Sequence, residues 1–426
     1  MTGEVVDDLF RRDSGRVVST LTRILGPRHL ALAEDVAQEA LVRAIELWPH
    51  RGVPANPSAW LIQTAKNLAI DWLRRESSLA AKADDVARAL SPAAMTPEVV
   101  DDQLAMMFLC CHPEIPREAR VALTLKTVCG FGTGEIARAF LIQETAAAQR
   151  IVRAKRLIRE RDLKFEALDE KLPAERKESV LEGLYLMFNE GYASAGDHLL
   201  RSDLCKEAIR LAGLLADHAT AGGPECDALL ALFLLQAARE GARVDEHGDL
   251  LLLEQQDRSQ WNRAQIAEGI ARLGRSAQGE RVTRYHLEAE IAALHASALK
   301  FDEAHWRAIA EAYALLYTIH PTPIVTLNRA VALARAHGPH EGLKELEKIE
   351  HHPALERYHL LPAALAVLWR EAGNEARAAE YFDKALALEC SAPERRHLQK
   401  LSGRVTQEPS GESSLCRPIS PSTADL

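Results

Sequence analysis

Aromatic residues are scarce in this chain of 426 residues: Phe, Trp and Tyr together make up 5% of it. Sheet proteins lean on aromatic and β-branched side chains, so this shortage, beside abundant Ala and Leu, argues for helices. No apolar run approaches the ~18 residues of a membrane span, and Met1 to Asp8 is acidic where a secretory leader would be basic. Seven cysteines occur without regular spacing, which argues against a disulfide framework and for reduced thiols. The expectation is a cytoplasmic protein with no membrane partner. Also missing are a phosphate-cradling Gly loop, a nucleophile elbow and a His–Glu metal motif. No catalytic residue, metal or cofactor is expected, and the protein is not expected to be an enzyme.

What is present is length and a split in charge. At this size two or three domains are expected, and a hydrophobic content of 47% is enough to build their cores. The net charge of −9 argues against a chain that coats nucleic acid along its whole length. Residues 1 to 165 carry +2, whereas residues 166 to 426 carry −11. Within the first part, Gln143 to Lys164 holds 7 basic and 3 acidic residues. A local basic helix of this kind binds phosphate whatever the overall charge.

Apolar residues recur at helical spacing almost everywhere, and no stretch sustains the alternation of a strand. The spacing predicts helices over 5–25, 29–48 (closed by Pro49) and 57–77, with Pro57 in a first turn. Further helices are predicted over 101–112, 116–129, 133–141 and 144–163. Beyond Phe165 helices are predicted over 174–193, 202–217, 225–241, 258–273, 283–299, 302–319, 324–337, 340–350, 358–372, 375–389 and 393–402. The fold class is therefore all-α. The expected domains are 1–80, a linker over 81–103, a helix–turn–helix domain over 104–164, a helical array over 166–405 and a disordered tail over 406–426. In the array, Trp369 to Leu388 resembles a tetratricopeptide repeat, with Gly373, Ala378 and Ala385 allowing close helix approach and Leu368, Tyr381 and Leu388 filling the seam. A weaker copy begins near Asn328.

Three constellations bear on function. On the helix from Asn67 to Glu76, Asn67, Ile70, Arg74 and Ser77 share a face that Lys66 adjoins, while Leu61, Leu68, Trp72 and Leu73 serve packing. A face with Asn, Asp and Arg can read base edges and hold phosphates, and single strands also want aromatic surfaces, which draws attention to Trp60 and Trp72. A Trp at helical spacing is nonetheless more often core. Second, Glu34-Asp35-Val36-Ala37-Gln38-Glu39 sets acidic and amide groups on one stripe, suited to an Arg-rich partner or simply to solvent. Third, Gly134 to Phe140 and Glu144 to Arg161 form a supporting and a recognition helix. The latter buries Ala147, Ile151, Ala154 and Leu157 or Ile158. It presents Gln149, Arg150, Arg153, Lys155, Arg156 and Arg159 outward, a polarity suited to a major groove.

In this order and spacing, residues 5 to 77 and 104 to 162 resemble the two halves of an extracytoplasmic-function sigma factor of the sigma-70 family. The resemblance implies a transcription initiation factor whose partners are core RNA polymerase, through its β′ clamp helices and β flap, and promoter DNA. It implies polymerase contacts by Asp35, Gln38 and Glu39. It implies contacts to the −10 element by Trp60, Lys66, Asn67, Asp71, Arg74 and Arg75. Contacts to the −35 element fall to Gln149, Arg150, Arg153 and Lys155, with Thr145 and Arg156 on the same helix. One departure stands out: Ala146-Ala147 occupy a place where the family has Thr and a branched apolar residue. Cys110-Cys111-His112-Pro113, Leu186 to Tyr192, Asp257 to Trp261 and Leu327 to Ala332 further resemble a subgroup with a long tetratricopeptide-like extension. There the extension is thought to regulate, which leaves room for a protein or small-molecule effector. The acidic array is expected to dock on the sigma domains and limit promoter access.

Cys110-Cys111-His112 is not expected to bind zinc, because adjacent cysteines on a helix diverge by about 100° and no second ligand pair follows. Asn189 to Tyr192 and Asp257-Arg258 could line a ligand site, or pair and cap within the array. Two other readings stay open from the residues alone: a helix–turn–helix regulator that works without polymerase, and a ligand-binding protein acting through residues 166 to 405.

Overall fold

Apolar stripes one turn apart generate the architecture. The computed structural model describes residues 3–75, 97–140, 142–165, 168, 174–193, 202–243, 245, 251, 253–298, 303–390 and 392–403. These form eighteen α-helices with short 3-10 turns and, among the described residues, no strand. The chain divides into two compact units, Met1–Met187 with Asp217–Ala221, and Phe188–Ala216 with Gly222–Leu426. That division falls later than the expected boundary near residue 165. The expected tail and most of the expected linker lie outside the described residues, but the linker's last part is helical.

The first unit begins with α1 (Gly3–Leu25), α2 (Leu30–Arg51) and α3 (Pro57–Arg75), which pack on one another. Val17, Val18, Leu21, Leu30, Val36, Ala40, Leu61 and Ala65 are buried between them. Burying each of the larger ones contributes about 1.5–3 kcal/mol. α2 runs through Pro49, where a stop was predicted. A proline in the last turn removes one donor only, and the Gly52 amide still reaches the Trp48 carbonyl at 2.9 Å. α4 (Pro97–Cys110) lies against α1. There Thr20 donates to Asp102 at 2.9 Å, and Arg23 pairs with the same buried carboxylate at 2.6 Å. α1 also comes close to the chain at Val128, where a Cβ on Gly15 would stand 1.8 Å from the carbonyl oxygen.

α5 (Arg117–Thr127), α6 (Thr133–Ala139) and α7 (Glu144–Glu160) complete a three-helix cluster. α8 (Ala174–Ala193) begins in the first unit, where Glu182 pairs with Arg117 at 2.9 Å and Arg120 at 3.6 Å. Cys110 and Cys111 are fully buried, their sulfurs 3.1 Å from Thr127 Oγ1 and 3.6 Å from Thr124 Oγ1. Burial raises both thiols, Cys111 to about 11, so neither is a thiolate at neutral pH.

The second unit is a succession of helix pairs: α9 (Ser202–Asp217), α10 (Pro224–Ala237), α11 (Arg263–Ser276), α12 (Arg284–Ser297), α13 (Glu303–Ile319), α14 (Pro323–His337), α15 (Pro339–Glu347), α16 (Leu360–Glu371), α17 (Glu375–Ala387) and α18 (Ala392–Leu401). The repeat seen in the sequence is the α16–α17 hairpin. Ala378 and Ala385 sit in its seam as expected. Gly373 does not: with φ +81° it makes the turn, and open space surrounds it. Leu388 caps α17 half-buried, and Phe382 fills the seam beside Leu368 and Tyr381. In α14–α15 it is Gly342 that permits close packing, since a Cβ there would lie 2.7 Å from the Ala330 carbonyl oxygen. The helix predicted over 258–273 starts later, because Asp257 caps a 3-10 turn and the Asn262 side chain accepts from the Gln265 amide.

Candidate nucleic-acid interface

Small residues give α2 two unlike sides. Ala33, Val36, Ala37 and Ala40 are buried, while Asp35, Gln38 and Glu39 are exposed on one stripe. Glu39 pairs with Arg43 at 3.2 Å across one exposed turn, an interaction of a few tenths of a kcal/mol that a partner can displace. The stripe continues through Val42 and Ile45, 48% and 57% exposed. Apolar side chains so exposed, one turn beyond the acidic ones, give the face a hydrophobic end that the charge pattern did not reveal.

α3 places Asn67, Asp71 and Arg74 on the surface. Gln63 donates to the Asn67 side chain at 3.0 Å, which fixes that amide. Arg75 is in the helix, but its side chain lies outside the described residues, as does Ser77. Trp60 is half-buried, edge-on to Trp48 with ring centres 5.5 Å apart, so its role is at least partly packing. Two expectations reverse. Lys66 is 6% exposed, and burial lowers its ammonium from the ordinary lysine range. Trp72, assigned to packing, is 36% exposed beside Asp71. The exposed aromatic surface of this helix is therefore Trp72.

The helix–turn–helix follows from local chemistry. Gly130, at φ +72°, turns the chain after α5. The Gly132 amide donates to Glu135 at 2.7 Å and caps α6. Phe131, Ile136 and Ala137 are buried with Ala147, Ile151, Ala154 and Ile158 of α7, the stripe the sequence predicted. Thr145, Gln149, Arg153 and Arg156 are exposed. Arg156 pairs with Glu160 at 3.4 Å, and half-buried Arg150 with Glu118 at 3.2 Å. Among the described residues Arg153 makes no ion pair. Between Gln149 and Arg153 stands Val152, 63% exposed, an apolar contact suited to a thymine methyl group. Only its exposure, which periodicity does not measure, identifies it.

Lys155 is occupied. Its ammonium pairs with Glu34 of α2, and the two side chains are only 21% and 11% exposed. Among the described residues the other oxygen of Glu34 makes no hydrogen bond. Arg28 and Asp162 pair nearby at 3.6 Å, and α7 packs on the 3-10 turn Pro27–His29 that precedes α2. The basic helix is thus joined to the helix that bears the acidic stripe.

Residues 9–79 match sigma-70 region 2, residues 105–158 match sigma-70 region 4, and residues 176–277 match a family of unknown function, DUF6596. The chain is 38% identical over 392 residues to an uncharacterized protein of Rhizobium meliloti, covering 90% of this chain and 92% of that protein. It is 31% identical over 140 residues to a probable RNA polymerase sigma factor, RfaY, of Xanthomonas campestris pv. campestris, covering 31% of this chain and 34% of that protein. No solved structure matches. No helix of the described residues is long and apolar enough to cross a membrane.

Proposed function

Because the chain belongs to the sigma-70 family, as an RNA polymerase sigma factor of the extracytoplasmic-function type with a C-terminal extension, we propose how its surfaces divide the work. Asp35, Gln38 and Glu39, extended by Val42 and Ile45, grip the polymerase β′ clamp helices. Asn67, Asp71, Arg74, Arg75 and Trp72 contact the −10 element, with Trp72 stacking on an exposed base, while Trp60, about three turns away, packs the start of the helix against Trp48. A stacked base contributes about 1–3 kcal/mol, enough to offset much of the unstacking that opening requires. Thr145, Gln149, Val152 and Arg153 read the −35 element, with Arg150 and Arg156 at the phosphates. The polymerase supplies the chemistry, in the cytoplasm.

Lys155 joins the −35 contacts only after it leaves Glu34. The free chain is accordingly a closed form, and polymerase binding along α2 competes with the contact that holds α7. The single observation that carries this reading is the buried Glu34–Lys155 pair, which ties a DNA-facing cation to the polymerase-facing helix. The extension, excess charge −11 against +2 for residues 1 to 165, regulates this balance and is where an effector acts. Run-off transcription with core polymerase tests the assignment, with the full chain beside one ending at Ala193. Promoter-specific transcripts are expected from the full chain, and altered promoter occupancy from the shortened one. Full activity of a chain with Asp35 and Glu39 reversed to Lys would remove the polymerase face.

A further inference from the structure

The interior of the second unit gathers arginines from separate segments. Tyr192 closes α8, Arg239 and Arg243 follow α10, Arg258 and Trp261 precede α11, and His295 lies near the end of α12. Backbone contacts bind these segments into one place. The Asn262 amide donates to the Ala238 carbonyl at 2.8 Å. Arg258 donates to the carbonyls of Ala298 and, at 3.2 Å, His295. Arg243 donates to the Tyr192 carbonyl at 2.8 Å and covers its ring at 3.8 Å.

Arg239 is the unusual member. It is 4% exposed, and its hydrogen bonds leave from Nη2 alone, to the Tyr192 hydroxyl at 2.9 Å and to Gln236. Both acceptors are neutral. Among the described residues no carboxylate pairs with it, and its Nε and Nη1 donate to nothing. Two of the described acids in these segments are accounted for. Asp257 caps the turn, accepting from Ser259 and Gln260. Glu190 is raised to about 7 by burial alone, with no cation acting on it. Further cations crowd the cluster. Arg258 is lowered by burial first and then by Arg263 and Arg239, and His295 is held neutral by burial and by Arg239, His305 and Arg258. Trp261, 2% exposed with Arg258 at 4.6 Å from its ring, adds a buried indole N–H that finds no acceptor among the described residues.

A buried guanidinium with spare donors and no counter-charge costs several kcal/mol, a cost that an anion offsets. We propose that this cluster is a binding site for the phosphate or carboxylate group of a small molecule, with Arg239 as its anchor, Trp261 as a neutral donor and Arg258 as the second cation. The proposal is independent of the surfaces assigned to polymerase and promoter. A loss of transcription does not bear on it, because the test is direct binding.

The full-length protein is titrated by calorimetry and thermal melting with inorganic phosphate and, separately, citrate, each against sodium chloride at equal ionic strength. Saturable binding and a rising Tm are expected with at least one of the two, and which one does so identifies the group. Arg239→Gln should lose tenfold or more in affinity. Trp261→Phe, which keeps an aromatic ring and removes the donor, should lose a smaller factor and decides the matter if the first variant fails to fold. No saturable binding of either anion by the native protein overturns the proposal. So does affinity that both folded variants retain, which would mean an anion bound elsewhere.

Discussion

Replacing Glu34 by Gln keeps the shape of the side chain and removes the charge that holds Lys155. With side chains 11% and 21% exposed, the pair is mostly shielded from water. At an effective dielectric near 20, two charges in contact attract by about 4 kcal/mol, and desolvation cancels much of this. A net coupling of about 1–2 kcal/mol remains. If Lys155 must leave Glu34 to reach DNA, that coupling is subtracted from promoter affinity in the free chain. Glu34→Gln should then bind a −35 duplex about 5–30 times more tightly without polymerase. The assay is fluorescence anisotropy on a duplex that the protein itself selects from a random pool, at fixed salt. Lys155→Gln should weaken binding, and the double variant should bind like Lys155→Gln, since the released cation is gone. If folded Glu34→Gln binds as the native chain does while Lys155→Gln binds less well, Lys155 was never withheld and the closed form has no regulatory weight.

Arg153→Ala should cost about 1–3 kcal/mol and relax preference at one −35 position if it reads a base; a phosphate contact would instead lower affinity for every sequence and flatten the salt dependence. Reversing Asp35 and Glu39 to Lys, or replacing Val42 and Ile45 by Ser, should weaken binding to core polymerase while leaving the circular-dichroism spectrum native, because all four side chains are exposed. Trp72→Ala should slow promoter opening more than initial binding, readable as a loss of permanganate-reactive thymines with closed-complex affinity kept. Glu190, raised from 4.5 to about 7, withdraws stability as pH climbs through that interval and leaves a constant deficit above it. Glu190→Gln should therefore add roughly 2–3 kcal/mol to the second unit at about pH 8 and almost nothing at about pH 4, measured by urea denaturation.

Much of the molecule was legible because helices are local. The buried stripe of α7 follows from a 3.6-residue period, and the turn before α6 from Gly130, whose φ few other residues tolerate. The same rule failed where two explanations share one spacing. Trp60 and Trp72 both fit a packed face, yet Trp72 stands in solvent and Trp60 lies against Trp48. Lys66 read as part of a polar surface, but its stem is covered. Asp257 and Asn262 delayed a helix because their side chains satisfy backbone amides, a competition that apolar periodicity does not register.

By itself the sequence determined which segments are helical, their order, and which face of each is apolar, since these depend on neighbours a few residues apart. It also determined the family, because two motifs recur in the right order. Only the tertiary structure decided which polar groups remain available. Lys155 and Glu34 lie 121 residues apart, and nothing near either one announces the other. Nothing near Arg239 in the sequence announces that it is buried beside the Tyr192 hydroxyl, 47 residues away. A side chain's type is written locally, but whether it meets water, a counter-charge or neither depends on what the rest of the chain folds against it.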